Sequence, residues 1–136
     1  AVMNQANELS GRIRVAYGTY EAASLAAASE IEMFVLPNGA RLVQGNLAYD
    51  ALGSGTTLSV GYAAHTNAAG TAVVAAAAAY KAAAASTSAQ KVDVLATIAL
   101  GSGTETDTNE DGVAITVTNA GTATGSIELT IMYVVD

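Results

Sequence analysis

From Ile31 to Tyr62 the chain alternates apolar and polar residues in three runs, IEMFVL, ARLVQGNLAYD and TTLSVGY, divided by Pro37-Asn38-Gly39 and Gly53-Ser54-Gly55. Ile31, Met33 and Val35 fall on one side of the first run. In the second, Val43, Leu47 and Tyr49 oppose Gln44, Asn46 and Asp50, and Leu58, Val60 and Tyr62 repeat the pattern in the third. A period of two marks half-buried strands, because successive side chains of a strand point to opposite faces. Strands are therefore expected over 30–36, 40–50 and 57–63. Proline presets a negative φ and Asn-Gly tolerates a positive one, so Pro37-Asn38-Gly39 predicts a tight hairpin between the first two strands, and Gly53-Ser54-Gly55 a second reversal.

The same period brackets this block. Ile13, Val15 and Tyr17 alternate with Arg12, Arg14 and Ala16, which predicts a first strand with a basic outer face, followed over 18–29 by a loop or one helical turn. Past Gln90, a strand carries Val92, Val94, Ala96, Ile98 and Leu100 on one side. The next carries Val113, Ile115 and Val117, and the last Ile127, Leu129, Ile131, Tyr133 and Val135, with a short turn-rich link over 121–125. Between Thr71 and Ser86 the sequence TAVVAAAAAYKAAAAS breaks the period. Alanine has the highest helix propensity of any residue, so one helix is expected over about 72–86, anchored by Tyr80. A flexible Ala-rich linker is the other reading of that run. Seven strands and one helix describe a mainly β chain: an antiparallel β-sandwich or jelly-roll-like module over 12–136, preceded by an N-terminal arm over 1–11.

Composition narrows what such a module does. With one Phe, no Trp and six Tyr among 136 residues, the core is assembled from Val, Ile, Leu and Tyr against many small side chains. A lean core of this kind gains from burial against a partner subunit. Twelve acidic residues against five basic ones give a net charge of −7, the wrong sign for holding nucleic acid by its phosphates. The absence of cysteine removes disulfides and thiolate metal sites. The Ala-rich run, interrupted by Lys81, falls short of the roughly 20 apolar residues of a membrane span. The start, AVMNQANELSGRIR, has no basic segment leading into an apolar one, so a soluble protein made inside the cell is expected.

Few residues carry chemistry. Asp107-Thr108-Asn109-Glu110-Asp111-Gly112 fits the opening of a calcium loop, in which Asp107, Asn109 and Asp111 would supply oxygen ligands and Glu105 a further one. The twelfth position is Thr118 rather than the bidentate Glu, and strands flank the loop, so a solvated acidic turn is the competing reading. His65 is the single histidine and follows a strand; no G-x-S-x-G context accompanies any serine, and a catalytic constellation is not expected. Glu30 and Glu32, two apart, read as a wet sheet face rather than a glycosidase pair, which needs its carboxylates across a cleft. The glycine-rich Gly53-Ser54-Gly55 and Gly101-Ser102-Gly103 lack the P-loop Lys-Ser/Thr pair and read as turns. Arg12, Arg14 and Arg41 hold most of the positive charge, either pairing with local carboxylates or setting register on an acidic partner.

The segments PNGARLVQGNL, TTLSVGYAAHT and ATGSIELTIMYVVD together resemble small structural proteins of tailed bacteriophages. Pro37, Gly39 and Ala40, then Leu58 to Tyr62, then Gly125 to Tyr133 carry the likeness, over about two-thirds of the chain. The resemblance implies a virion component without enzymatic activity: a capsid decoration or cement protein on the outer head surface, often a homotrimer, with the major capsid protein as partner. The N-terminal arm, with Asn4, Gln5, Asn7, Arg12 and Arg14, would then dock on the shell or a neighbouring subunit. A tail or head-fibre module is a second virion reading. A calcium-dependent carbohydrate-binding module using Asp107, Asn109 and Asp111 is the rival from another class.

Overall fold

The computed structural model describes residues 12–37, 39–67, 69–96, 104–105 and 112–135. The strands are β1 (Arg14–Leu25), β2 (Glu30–Leu36), β3 (Ala40–Tyr49), β4 (Thr57–Tyr62), β5 (His65–Thr66), β6 (Ala72–Val73), β7 (Ala76–Ala85), β8 (Gln90–Val94), β9 (Thr104–Glu105), β10 (Val113–Ala120) and β11 (Ala123–Val135). One sheet runs β1-β11-β3-β8, with β9 pairing the start of β3; the other runs β2-β10-β4-β7; β5 and β6 form a separate ribbon. Every pairing is antiparallel. Successive long strands change sheet at nearly every step, which is the connectivity of a jelly roll.

The core lies between the sheets. Leu42 and Leu47 of β3 and Ile127, Leu129 and Ile131 of β11 meet Leu36, Leu58, Val60, Ile115 and Val117 from the other sheet, all fully buried. Each such side chain contributes about 1.5–3 kcal/mol of transfer free energy. The alternation read from β4, β10 and β11 is the alternation seen. In β3 it slips: Met132 faces Gln44 but Tyr133 faces Leu42, so Val43 is the extra residue of a bulge and Leu42, not Val43, turns inward. A second bulge at Met33 puts Ile31, Phe34 and Leu36 toward the core and leaves Val35 exposed. Beyond Val94, Ala96 is exposed, and Ile98 and Leu100 lie outside the described residues.

The turn at 37–40 forms as expected, closed by the Ala40 amide donating to the Pro37 carbonyl at 3.2 Å with Gly39 at a φ of +75°. It does not make a hairpin. β2 and β3 leave it into different sheets, so the turn is a corner of the sandwich. The reversal at Gly53-Ser54-Gly55 crosses between sheets in the same way, held by the Thr56 hydroxyl donating to the Gly53 carbonyl at 2.8 Å.

No helix occupies 72–86. The segment instead gives β6 and the edge strand β7, which pairs with β4. Alanine's helical advantage over other residues is a fraction of a kcal/mol per position, and an all-alanine helix has no apolar stripe to bury. As a strand, the same small residues permit a close approach: a Cβ on Gly61 would lie 1.8 Å from the Ala76 carbonyl oxygen. Between the Val60–Lys81 and Tyr62–Ala76 pairs, Gly61 alone is opposed by residues 77–80. That bulge drives Tyr80 into the core, 4% exposed, with its ring 6.0 Å from that of Tyr62. Tyr80 is thus the anchor expected of it, on a strand.

β1 also departs from expectation. It continues through the segment read as a loop, and its faces are reversed. Ala16, Gly18 and Ala22 lie opposite Ile131, Leu129 and Gly125 and turn inward, whereas Ile13, Val15 and Tyr17 are 66%, 61% and 58% exposed. The cause is the approach of β2: a Cβ on Gly18 would sit 2.6 Å from the Met33 carbonyl oxygen. Loop order at this end rests on Asn119. Its side chain accepts from the Ser29 amide at 3.1 Å and donates to the carbonyls of Ala26 at 3.1 Å and Gly121 at 2.8 Å.

Two outcomes follow from this packing. Gly61→Ala is expected to lower unfolding free energy by about 1–3 kcal/mol, as overpacking against rigid backbone does, measured by urea denaturation. Burial, and then the neighbouring Tyr62, push the Tyr80 phenol up from 10.0 to about 12. Because the folded value is raised, the neutral phenol's stabilisation is whole below pH 10 and is lost as pH rises toward about 12. Difference absorbance should show one tyrosine ionising last, together with unfolding, and Tyr80→Phe should shift that alkaline transition upward.

Candidate interaction surface

Among the described residues, those proposed from sequence do not converge on one site. Asn4, Gln5, Asn7, Asp107, Asn109 and Asp111 lie outside the described residues, and Glu105 lies in β9, whose backbone pairs with Arg41. Arg12 and Arg14 are exposed at the start of β1. Glu30 and Glu32 are exposed on the outer face of β2, and across the ladder they meet Thr118 and Thr116 rather than a second carboxylate. His65, half-buried in β5, places its Nδ1 2.8 Å from the Ala63 carbonyl oxygen and its ring edge-on to Tyr62 at 5.5 Å. These are the contacts of a packed residue. Among the described residues, no three His, Cys, Asp or Glu side chains group as a metal site would require, and no helix is long and apolar enough to cross a membrane.

One polar recess of about 450 Å³ opens on the outer face of the β1-β11-β3-β8 sheet, lined in part by Tyr49, Asp50, Gln90, Ser126 and Glu128. Several of its groups are engaged in bonds of the fold itself. Asp50 accepts from the Ser126 amide at 3.1 Å while its own amide donates to the Ser126 carbonyl at 3.0 Å, and the Tyr49 hydroxyl donates to the Ala85 carbonyl at 3.3 Å. The Asp50–Ser126 bonds fasten the β3 and β11 ends together, and the Tyr49 bond ties β3 to β7. The Ser126 hydroxyl donates to the Glu21 carboxylate on the neighbouring β1.

What the surface offers instead is apolar area. On the outer face of the first sheet, Val15 lies beside Met132 and then Gln44, while Val134 lies beside Arg41. Tyr17 ends this ridge. Desolvation, and then the Glu128 carboxylate that accepts its hydroxyl hydrogen bond, push its phenol above the usual range. On the second sheet, Val35 is 58% exposed, next along β2 from Glu32 and Glu30. Sequence reasoning missed both. The available signal was Gly18 in the middle of a strand, which marks close approach of another backbone and so fixes the even-numbered side of β1 as the inner one.

Comparison with solved structures places this geometry. A chain of the capsid of Ralstonia phage GP4 superposes with a TM-score of 0.70 at 21% identity, covering 99% of this chain and 92% of that one. A chain of the cyanophage Pam1 capsid asymmetric unit gives 0.61 at 21% identity, covering 100% and 92%. The fold is shared with chains of phage capsids. A chain from the acidic stable capsid structure of Helicobacter pylori bacteriophage KHP30 follows at 0.51 and 16% identity, covering 90% and 87%. No protein-family model matches the sequence, and no curated protein does.

If the β1 ridge is surface rather than core, Val15→Ser should change unfolding free energy by no more than about 0.5 kcal/mol. Leu129→Ala, on the inner face of the adjoining strand, should cost about 2–5 kcal/mol. Paired urea titrations of the two variants read this directly.

Proposed function

We propose that this chain is a structural protein of a phage virion, a decoration or cement protein that sits on the outer surface of the head and stabilises the shell. The observation that carries the proposal is the near end-to-end likeness to a chain of the Ralstonia phage GP4 capsid, covering 99% of this chain and 92% of that one. The likeness thus spans nearly all of that capsid chain rather than one part of it.

Other features support the reading. A structural role without enzymatic activity is part of the same reading. A net charge of −7 suits the outer surface better than a DNA-facing one. The partners in this reading are the major capsid protein and further copies of the chain, assembled as a trimer. The N-terminal arm over 1–11, with Asn4, Gln5 and Asn7, lies along the shell or a neighbouring subunit, and Arg12 and Arg14 continue that contact. Residues 12–136 form the one folded domain. Clamping adjacent shell subunits in this way opposes the outward pressure of packaged DNA.

The test is reconstitution. Added to expanded heads that lack it, the full chain should bind to a fixed number of copies per shell and raise the temperature at which the shells disrupt in a light-scattering melt. Deleting residues 1–11 should weaken binding at least about tenfold, equivalent to roughly 1.4 kcal/mol. Heads that neither take up the chain nor gain thermal resistance would show the decoration reading to be wrong, and undiminished binding of the truncated chain would remove the arm from it.

A further inference from the structure

We propose that Lys81 guards the free edge of β7 and keeps its alanine stretch from pairing with the β7 of a second copy. Such a guard is needed whether or not the chain decorates a head.

Four strands end the two main sheets, β1 and β8 in one, β2 and β7 in the other. β1 carries Arg14 and Glu21, β2 carries Glu30 and Glu32, and β8 carries Lys91 and Asp93, so each of those edges holds two charges. Charged side chains on an edge keep it from adding to another edge. β7 has Lys81 alone, in a strand that is otherwise alanine and one tyrosine. It pairs with β4 on one side and, among the described residues, with no strand on the other. Ala82 to Ala85 are all exposed. An open run of small, uncharged residues is a template for a further strand, and two copies of it meet with neither bulk nor charge to hold them apart.

Lys81 stands where it prevents this. In the ladder it lies opposite Val60, which is wholly buried, and so it is on the inner side of the edge strand. A charged residue on that side blocks strand addition, because a further strand would lay its own inner residues over the ammonium and take it out of water. The side chain is half-buried, and its ammonium turns back to donate to the Ala82 carbonyl at 3.2 Å. Charge and donor are thus both held at the start of the exposed alanines. On the N-terminal side the bulge opposite Gly61 already interrupts the strand, which is a second way of blunting an edge. Residues 82–85 are the stretch left to Lys81.

Light scattering on the purified full chain, without capsids, tests the guard at matched concentrations. Lys81→Met keeps the aliphatic stem and loses the ammonium, and Lys81→Ala loses both. Each should raise the average mass at least about twofold over wild type, as two-fold pairing through one open edge per chain gives. Lys81→Glu keeps a charge at the position and should match wild type. Ala84 is exposed on the same side of β7, opposite the buried Leu58, so adding Ala84→Lys to Lys81→Met should restore the wild-type mass. Far-ultraviolet circular dichroism and an unchanged urea midpoint separate edge pairing from unfolding. Uncharged variants that keep the wild-type mass, a Lys81→Glu chain that associates as they do, or a double variant that fails to recover would each overturn the guard.

Discussion

β11 must find both of its neighbours far back along the chain before the first sheet exists. It lies between β1 and β3, with Tyr133 opposite both Arg14 and Leu42 and Ile127 opposite both Tyr20 and Tyr49. Its inner residues Ile127, Leu129 and Ile131 are wholly buried, so that sheet's share of the core is ordered only once this strand is inserted. The second sheet has the same dependence on β10, which pairs with β2 and β4 at once. Two adjacent strands near the end of the chain thus hold the two halves of the sandwich, joined through the Gly121 turn and fastened by Asn119.

That arrangement explains the division between what the residues announce and what they hide. The strands expected over 30–36, 40–50 and 57–63 were legible to within a residue of Glu30–Leu36, Ala40–Tyr49 and Thr57–Tyr62, because one face of each is buried. The side facing inward was legible in β4, β10 and β11 for the same reason. It was hidden in β2 and β3, where bulges at Met33 and Val43 shift the phase partway along the strand. In β1 a backbone approach selects Ala and Gly for the inside and leaves the larger residues outside. The Pro37-Asn38-Gly39 turn was legible as a turn and illegible as a connection. Local turn chemistry fixes the reversal, while sheet membership is decided by distant strands.

The alanine run shows the same competition in sharper form. Residues 76–85 have every local reason to coil into a helix, yet the sandwich needs a strand at the free edge of β4 with no side-chain bulk beside Gly61. Tertiary pairing overrides a propensity worth a fraction of a kcal/mol per residue. On the surface, the basic residues Arg12, Arg14 and Arg41 and the acidic pair Glu30 and Glu32 were legible as charges. Their relation to Ile13, Val15, Tyr17 and Val35 was not, because it depends on which face of each strand the fold turns outward.

The position of β11 also sets the timing of maturation. While a ribosome is still delivering the chain, β1 and β3 have no strand to lie between them, and local pairing cannot substitute, since few neighbouring strands pair with each other. Folding dominated by such distant pairings is slow, and the first sheet closes only once β11 has been made. The outer ridge of β1 is defined only once β11 has fixed which side of β1 is inside. A chain without β11 therefore lacks the settled outer face that the complete sheet gives β1.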